Sequence, residues 1–182
     1  MALWTLTLVS KELKQGVERL STELRSLDDP AKSIRPTVAV ARMVGPQSSE
    51  ARWDNLVVRS DESQSVGGAG SGPSPSALFV ASVGFADNVL FARQAAMNNV
   101  DFDSLETKVE ARWDRKGLFE MDGTDSSLQS LSIETRISTN ASPQKVVELL
   151  KLTHRRSPMI TTLAKCVPIK RRLFVNEKET AF

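Results

Sequence analysis

The sequence predicts an α+β fold in which helices and strands do not alternate strictly. Three observations carry this prediction: an amphipathic stripe near the N-terminus, two groups of strand-like segments, and a long, almost wholly apolar helix between them. Strict alternation would favour a doubly wound parallel sheet, whereas grouped strands favour a mixed architecture. With 182 residues, of which 40% are hydrophobic, the chain is long enough for one substantial core.

The first element is a helix over roughly Ser10 to Asp28, with Ser10 as its N-cap. Its apolar residues recur at steps of four, three, four and three, which is one narrow stripe. These residues are Leu13, Val17, Leu20, Leu24 and Leu27. So narrow a stripe suits docking on another surface, and a helix pair across a dimer is one form of it. We assign residues 1–35 to a helical extension and residues 36–182 to the main domain.

Strands and a punctuated loop follow the extension. Thr37 to Val44 is rich in β-branched residues, and residues 51–59 alternate well enough for a second strand. Residues 65–75 are rich in glycine, serine and proline. A phosphate-binding loop would continue into Gly-Lys-Ser/Thr, which is missing here, so we interpret the segment as a flexible turn before a helix.

The central segment, Pro75 to Asn98, predicts a helix that is apolar on most faces. Proline in the first turn is preorganised for that position. A helix that is apolar nearly all round lies in a core or between subunits. Small residues along it allow another helix to approach closely. These are Ala81, Ser82, Gly84 and Ala86.

The remaining segments complete the predicted order. Residues 104–113 and 130–138 alternate as strands. Ser142-Pro143 and Ser157-Pro158 each open a helix, because serine is a good N-cap and proline suits the first helical position. Residues 166–175 are expected to close the chain as a strand, with Cys166 as a buried structural thiol.

Composition argues against several classes of function. The net charge of +2 comes from 24 basic and 22 acidic residues, which is too balanced for nucleic-acid binding. The basic clusters at 154–156 and 170–172 are expected to be solvated faces. No apolar run reaches the ~20 residues of a membrane span, and we expect a cytoplasmic protein. One cysteine and one histidine argue against a disulfide or a zinc site, so no metal or cofactor is expected.

Between Asp61 and Gly84 the sequence resembles the OsmC/Ohr (organic hydroperoxide resistance) family. The resemblance rests on the acidic pair Asp61-Glu62, on Gly67-Gly68, on the turn Gly72-Pro73-Ser74-Pro75 and on the helix entered through Leu78. It implies antiparallel-rich sheets around long central helices, in an intertwined homodimer with active sites at the subunit interface. The activity it implies is thiol-dependent reduction of organic hydroperoxides, linked to oxidative stress.

That activity requires one cysteine to attack the peroxide and a second to condense with the resulting sulfenic acid. The resemblance places the first cysteine at Ala86 and the second at Ser157, and the assisting carboxylate at Ser76 or Ala77. The family's arginine corresponds to Arg42 or Arg52. The resemblance therefore implies a divergent member that lacks the catalytic cysteines.

The inherited pocket is expected to contain Phe85, Ala86, Ser76 and Ser157. Asp87, His154 and Ser157 are the candidate catalytic residues. For Asp87 the alternative is an ion pair with Arg93 or a strand residue, for His154 an exposed surface position, and for Ser157 an N-cap.

Three functional hypotheses follow. The first is a repurposed enzyme, such as a hydrolase or proton-transfer enzyme, acting by acid/base chemistry on an apolar organic small molecule. The second is a non-catalytic binding protein for such a molecule. The third is a hydroperoxide reductase whose thiol has moved to Cys166.

Overall fold

The computed structural model describes residues 8–53 and 55–181 and has a mixed α+β architecture. The helices in these ranges are α1 (Lys11–Arg25), α2 (Pro75–Met97), α3 (Pro143–Arg156) and α4 (Pro158–Leu163). The strands are β1 (Val40–Met43), β2 (Ser48–Trp53), β3 (Leu56–Asp61), β4 (Ser104–Arg112), β5 (Ser130–Ser138), β6 (Ile169–Val175) and β7 (Lys178–Thr180). The α+β class predicted from the sequence is confirmed.

The chain divides into two compact units. Residues 24–82 form the smaller unit, which contains the antiparallel sheet β1-β2-β3. The other described residues form the larger unit, with the sheet β4-β5-β6-β7. Only β5 and β6 run parallel in that sheet, and α3 and α4 connect them, because a parallel pair needs a crossover connection.

The smaller unit departs from the prediction in its strands. The single strand expected over residues 51–59 is wrong: the chain forms β2 and β3, joined by a tight turn at Asn55. Trp53 and Leu56 face each other across this turn. Asparagine favours turns. The alternation of apolar and polar residues continues from β2 into β3, so it does not indicate that the chain reverses direction between them.

The core of the larger unit lies against one face of its sheet. Alternate residues of β5 are buried, as expected for a sheet with one covered face. The buried apolar side chains form two clusters. One includes Phe91, Leu149, Leu150 and Leu173, and the other Val83, Leu131, Ile133 and Ile160.

Helix α1 is attached to the first cluster by its N-terminal end. Val9 is buried there and Leu13 packs against it. The Ser10 hydroxyl accepts a hydrogen bond from the Leu13 N–H at 3.2 Å, which confirms the predicted N-cap. The apolar stripe then leaves the core, so that Leu20 and Leu24 are exposed.

Strand β6, which the sequence predicted over residues 166–175, begins later, at Ile169. Helix α4 ends at Leu163, and the next residues turn, with the Cys166 N–H donating to the Leu163 carbonyl at 2.9 Å. Cys166 therefore lies in an exposed turn, and the expectation of a buried thiol at a strand start is wrong. The hairpin from β6 to β7, which was not anticipated, turns at Asn176 and Glu177 with positive φ.

Among the described helices, only α2 is long and apolar enough to cross a membrane. The core helix of a soluble protein passes the same test of length and composition. This helix also contains a buried charged residue, Asp87, which would be costly in a bilayer.

Candidate functional site

The most unusual feature of the larger unit is a buried ion pair between α2 and β6. The Arg171 Nη1 lies 3.0 Å from the Asp87 Oδ2, and its Nη2 lies 3.4 Å from Oδ1. The side chains of Asp87 and Arg171 are only 2% and 7% exposed. Two parallel N–H···O contacts fix both the distance and the orientation of the carboxylate.

The pleat of β6 explains how an arginine reaches the core. Arg171 is paired with Ile133 in the register of β5 and β6, and Ile133 faces the helices. Its neighbours Lys170 and Arg172 point to the opposite face, since successive side chains alternate in a strand. The expectation that residues 170–172 form a solvated cluster therefore holds for two of them and is wrong for Arg171. Burial lowers the pKa of the guanidinium, and Asp87 opposes this by raising it.

His154 lies on α3 and is half-buried, so the surface position that we considered for it is wrong. Burial lowers its pKa to about 3, and the positive charge of Arg171 contributes in the same direction. The imidazole is consequently neutral at physiological pH. Arg171 thus interacts electrostatically with two of the candidate residues, Asp87 through the ion pair and His154 through its charge.

Ser157 is fully buried and begins α4. Its hydroxyl accepts a hydrogen bond from the Ile160 N–H at 3.2 Å, which confirms that it is an N-cap. Its contact with His154 is through the backbone, where the Ser157 N–H donates to the His154 carbonyl at 3.3 Å. The structure therefore gives Ser157 a capping role and no hydrogen bond to the imidazole.

The residues just before Asp87 face in different directions. Ala86 is half-buried, whereas the Phe85 side chain is 67% exposed. Val89, one helical turn after Phe85, is also exposed. This side of α2 in the larger unit therefore presents apolar surface to solvent, which is the usual mark of an interaction surface.

Ser76, Arg42 and Arg52 belong to the smaller unit. The Ser76 and Ser74 hydroxyls lie 3.0 Å apart in the first turn of α2. Arg42 is opposite Glu50 in the register of β1 and β2. Arg52 donates to the same Glu50 carboxylate at 2.7 Å, so both arginines share one face of the sheet.

Asp61 anchors the glycine loop through its carboxylate. Its Oδ2 accepts hydrogen bonds from the Ala69 N–H at 3.2 Å and from the N–H and hydroxyl of Ser71 at 2.9 and 2.8 Å. These bonds, led by the Ser71 N–H, lower the pKa of Asp61 to about 2. Gly68 lies so close to Glu62 that a Cβ would come within 1.9 Å of its carbonyl oxygen. The loop is structural.

The alternative that Asp87 pairs with a strand residue is confirmed, and Arg93 is not its partner. Arg171 was not singled out from the sequence, although a signal for it was present. Arg171 has the same parity in its strand as Ile169, Leu173 and Val175, which mark the inward face. In the described part of the chain, no group of three or more histidine, cysteine or acidic side chains is placed to hold a metal.

Together, these features define an α+β protein in which an apolar helix carries a buried acid–arginine pair over a mixed sheet. The family model of OsmC-like proteins matches residues 68–172. The chain therefore belongs to the OsmC-like family, and the resemblance noted in its sequence is confirmed. Comparison with curated proteins gave no match.

Solved structures have the same fold. An OsmC-like protein from Mycoplasma pneumoniae has 14% identity and a TM-score of 0.68, over 78% of this chain and 97% of its own. The organic hydroperoxide resistance protein OsmC from Legionella pneumophila has 14% identity and a TM-score of 0.60, over 78% and 100%. A putative organic hydroperoxide resistance protein from Vibrio cholerae, with captopril bound in one of its active sites, has 14% identity and a TM-score of 0.59, over 85% and 100%. Identities this low show the fold alone.

Proposed function

We propose that this chain is a homodimeric, OsmC-fold binding protein for a small apolar organic molecule, without thiol peroxidase activity. The observation that carries the proposal is the buried Asp87–Arg171 ion pair, directly after Ala86. At the positions where the resemblance places the family's cysteines, the chain has Ala86 and Ser157, and neither side chain offers a thiol.

Each of the three candidate catalytic groups either is held in a structural contact or is a weak base. Asp87 is held by Arg171, and the Ser157 hydroxyl caps α4. The lowered pKa of His154 makes its imidazole a weak base at neutral pH, because efficient general bases have a pKa near the working pH. These contacts favour a binding role over acid/base catalysis.

The dimer is supported by the exposed apolar side of α2 and by the family, whose members are typically dimeric. Phe85 and Val89 would be covered by the second copy, and Ala86 would lie at the edge of that interface. We expect Phe85→Glu to give a monomer in light scattering after size-exclusion chromatography. Phe119→Glu is the matched control, because Phe119 is 72% exposed on the β4–β5 connection and should leave the dimer intact. A wild-type monomer would contradict the proposal.

Binding can be tested with 1-anilinonaphthalene-8-sulfonate as the apolar organic probe. We expect saturable fluorescence enhancement by the wild-type dimer and a Kd at least about tenfold weaker for Ala86→Leu, which fills the space beside the interface. Ala164→Leu, at an exposed position after α4, should bind as the wild type does. Equal binding by both variants would place the probe elsewhere and count against this pocket.

Hydroperoxide reduction is tested directly with cumene hydroperoxide and dithiothreitol. Cys166 is exposed, and the chain has no second cysteine to resolve a sulfenic acid. We therefore expect no turnover above the background reaction. Turnover that disappears in Cys166→Ser would instead establish the relocated-thiol hypothesis.

Acid/base catalysis is the second candidate, and the convergence of Asp87 and His154 on Arg171 is the observation that favours it. Hydrolysis of p-nitrophenyl butyrate provides a test. Activity that is lost in both Asp87→Asn and His154→Gln, but kept in Ser142→Ala, would support this candidate over binding alone. Absence of hydrolysis in the wild type would count against it.

A further inference from the structure

The outer face of the four-stranded sheet contains a recess that the proposed function does not use. The recess has a volume of about 540 Å³. Two helix-facing residues of β5 and β6, Ile133 and Arg171, border it. Its other lining residues are outward-facing residues of β4, β5 and β6, namely Lys108, Glu110, Ser132, Glu134, Lys170 and Arg172. This volume lies within the ~300–1,000 Å³ that is usual for small-molecule sites.

The strand register explains why the sheet is concave at this point. Ser132 lies on the middle strand, opposite Glu110 of β4 and Lys170 of β6. Serine is the smallest of these side chains, so it forms a low floor between longer neighbours. One step along, Lys108 and Arg172 lie opposite Glu134 from either side.

The acidic side chains of this face are already paired. Glu110 accepts from Arg112 at 2.8 Å. Glu134 binds Arg136 at 2.9 Å and Arg172 at 3.2 Å. Arg172 is held in addition by Glu179 at 3.0 Å, and this carboxylate raises the pKa of the guanidinium.

The two lysines differ from their neighbours. Among the described residues, neither Lys108 nor Lys170 forms an ion pair. They belong to strands on either side of β5 and lie opposite Glu134 and Ser132, two residues apart along that strand. Two strand spacings and this offset separate their backbones by roughly 12 Å. Long, flexible stems allow both ammonium groups to turn toward the floor at Ser132.

We propose that this recess binds a small linear dicarboxylate, with one carboxylate at Lys108 and the other at Lys170. Two separated ammonium groups that form no ion pair of their own fit two separated negative charges better than one compact anion, and the Ser132 hydroxyl supplies a further donor. Arg171 borders the recess, but its guanidinium binds Asp87 on the other face of the sheet. The two lysines that the proposal uses belong neither to that ion pair nor to α2, so variants of Lys108 and Lys170 test the recess independently of the proposed function.

The test is an NMR titration of the ¹⁵N-labelled protein with succinate at constant ionic strength. We expect saturable shifts of the amides of Ser132 and Lys170, and a Kd weakened at least about tenfold in Lys108→Gln and in Lys170→Gln. Lys165→Gln is the matched control, because it removes an exposed lysine outside the recess and should leave the Kd unchanged.

Acetate, at twice the succinate concentration, separates a dicarboxylate site from general attraction of anions. If acetate moves the same amides equally, or if neither recess variant weakens succinate binding, the proposal is wrong. Inorganic phosphate binding more tightly than succinate would also overturn it, since a compact dianion would then be the better fit. The variants' own spectra report whether they are folded.

Discussion

The two sheets of this protein are made from similar strands, yet their burial is opposite. In the four-stranded sheet, Leu131 of β5 is 0% exposed and packs in a cluster with Val83 and Ile160. In the smaller unit, no apolar side chain of the described residues is buried, and Leu56 of β3 is 71% exposed. The other large apolar side chains exposed there include Ile34, Val38, Val40, Met43, Val44, Trp53, Val57 and Val58.

Among the described residues, therefore, buried hydrophobic clusters are found in the larger unit and not in the smaller one. A small sheet needs an apolar face packed against something else to be stable, and exposed apolar patches of this kind mark interaction surfaces. Substitutions in the larger unit should therefore change the stability of a single chain. Substitutions in the smaller unit should act mainly through association.

The largest effect is expected from Arg171→Met in the larger unit. This change leaves the Asp87 carboxylate buried without its cation and should lower the free energy of unfolding by about 3–5 kcal/mol in urea. Arg59→Met, which breaks the exposed contact with Glu50 in the smaller unit, should cost about 1 kcal/mol or less. The double variant Asp87→Leu/Arg171→Met should recover most of the loss. Equal effects of the two single variants would break the comparison.

A paired leucine truncation tests the comparison in apolar side chains. Leu131→Ala should lower the free energy of unfolding by about 2–5 kcal/mol, because it removes a fully buried side chain. For Leu56→Ala we expect a cost that grows with protein concentration, since binding between copies contributes to stability by mass action. Thermal unfolding at several concentrations separates the two. A concentration-independent loss in Leu56→Ala would argue for intramolecular cover.

Helix caps allow a smaller test. Ser157→Ala removes a buried cap and should cost about 1 kcal/mol. Asp29→Ala removes an exposed side chain that accepts from the Ala31 N–H at 2.9 Å, and it should cost about 0.5 kcal/mol or less. Chemical denaturation measures both, and a larger cost at Asp29 would contradict the assignment of the core to the larger unit.

The smallest effect at neutral pH is expected from His154→Gln, which separates from the wild type only in acid. The folded pKa of about 3 lies below the ordinary 6.5, so the unfolded chain binds more protons in between. Stability from neutral His154 is therefore full above pH 6.5 and declines as the pH falls toward 3. The wild type should lose stability between pH 6.5 and 5, and the variant should not.

Asp61 gives the corresponding result for the smaller unit at lower pH. Its folded pKa of about 2 lies below the ordinary 3.8, so its contribution is present above pH 3.8 and is lost on acidification toward 2. Protection of the Ala69 and Ser71 amides against hydrogen exchange, relative to the intrinsic exchange rate at each pH, should decrease over that window and not between pH 6.5 and 5. If the exchange protection of both units falls over the same pH range, His154 and Asp61 do not control the two units separately.

The fold was largely predictable because its signals are local. The Ser-Pro helix starts, the stripe of α1 and the alternation of β5 each depend on neighbours in sequence, and all three match the structure. The β2–β3 turn was not predictable from alternation alone, since both strands continue one apparent pattern across it. The Asp87–Arg171 pair joins residues 84 positions apart, and no local pattern encodes such a partner.

The ion pair has a further consequence for the position of α2 on the four-stranded sheet. Because the helix is apolar on almost every side, hydrophobic burial alone would tolerate several rotations and several offsets along the sheet. A shift of one turn, about 5.4 Å, would separate the carboxylate from the guanidinium and leave both charges buried. Asp87 thus fixes one rotation and one offset of α2 among several that have similar apolar packing. It does so at the boundary between the two core clusters.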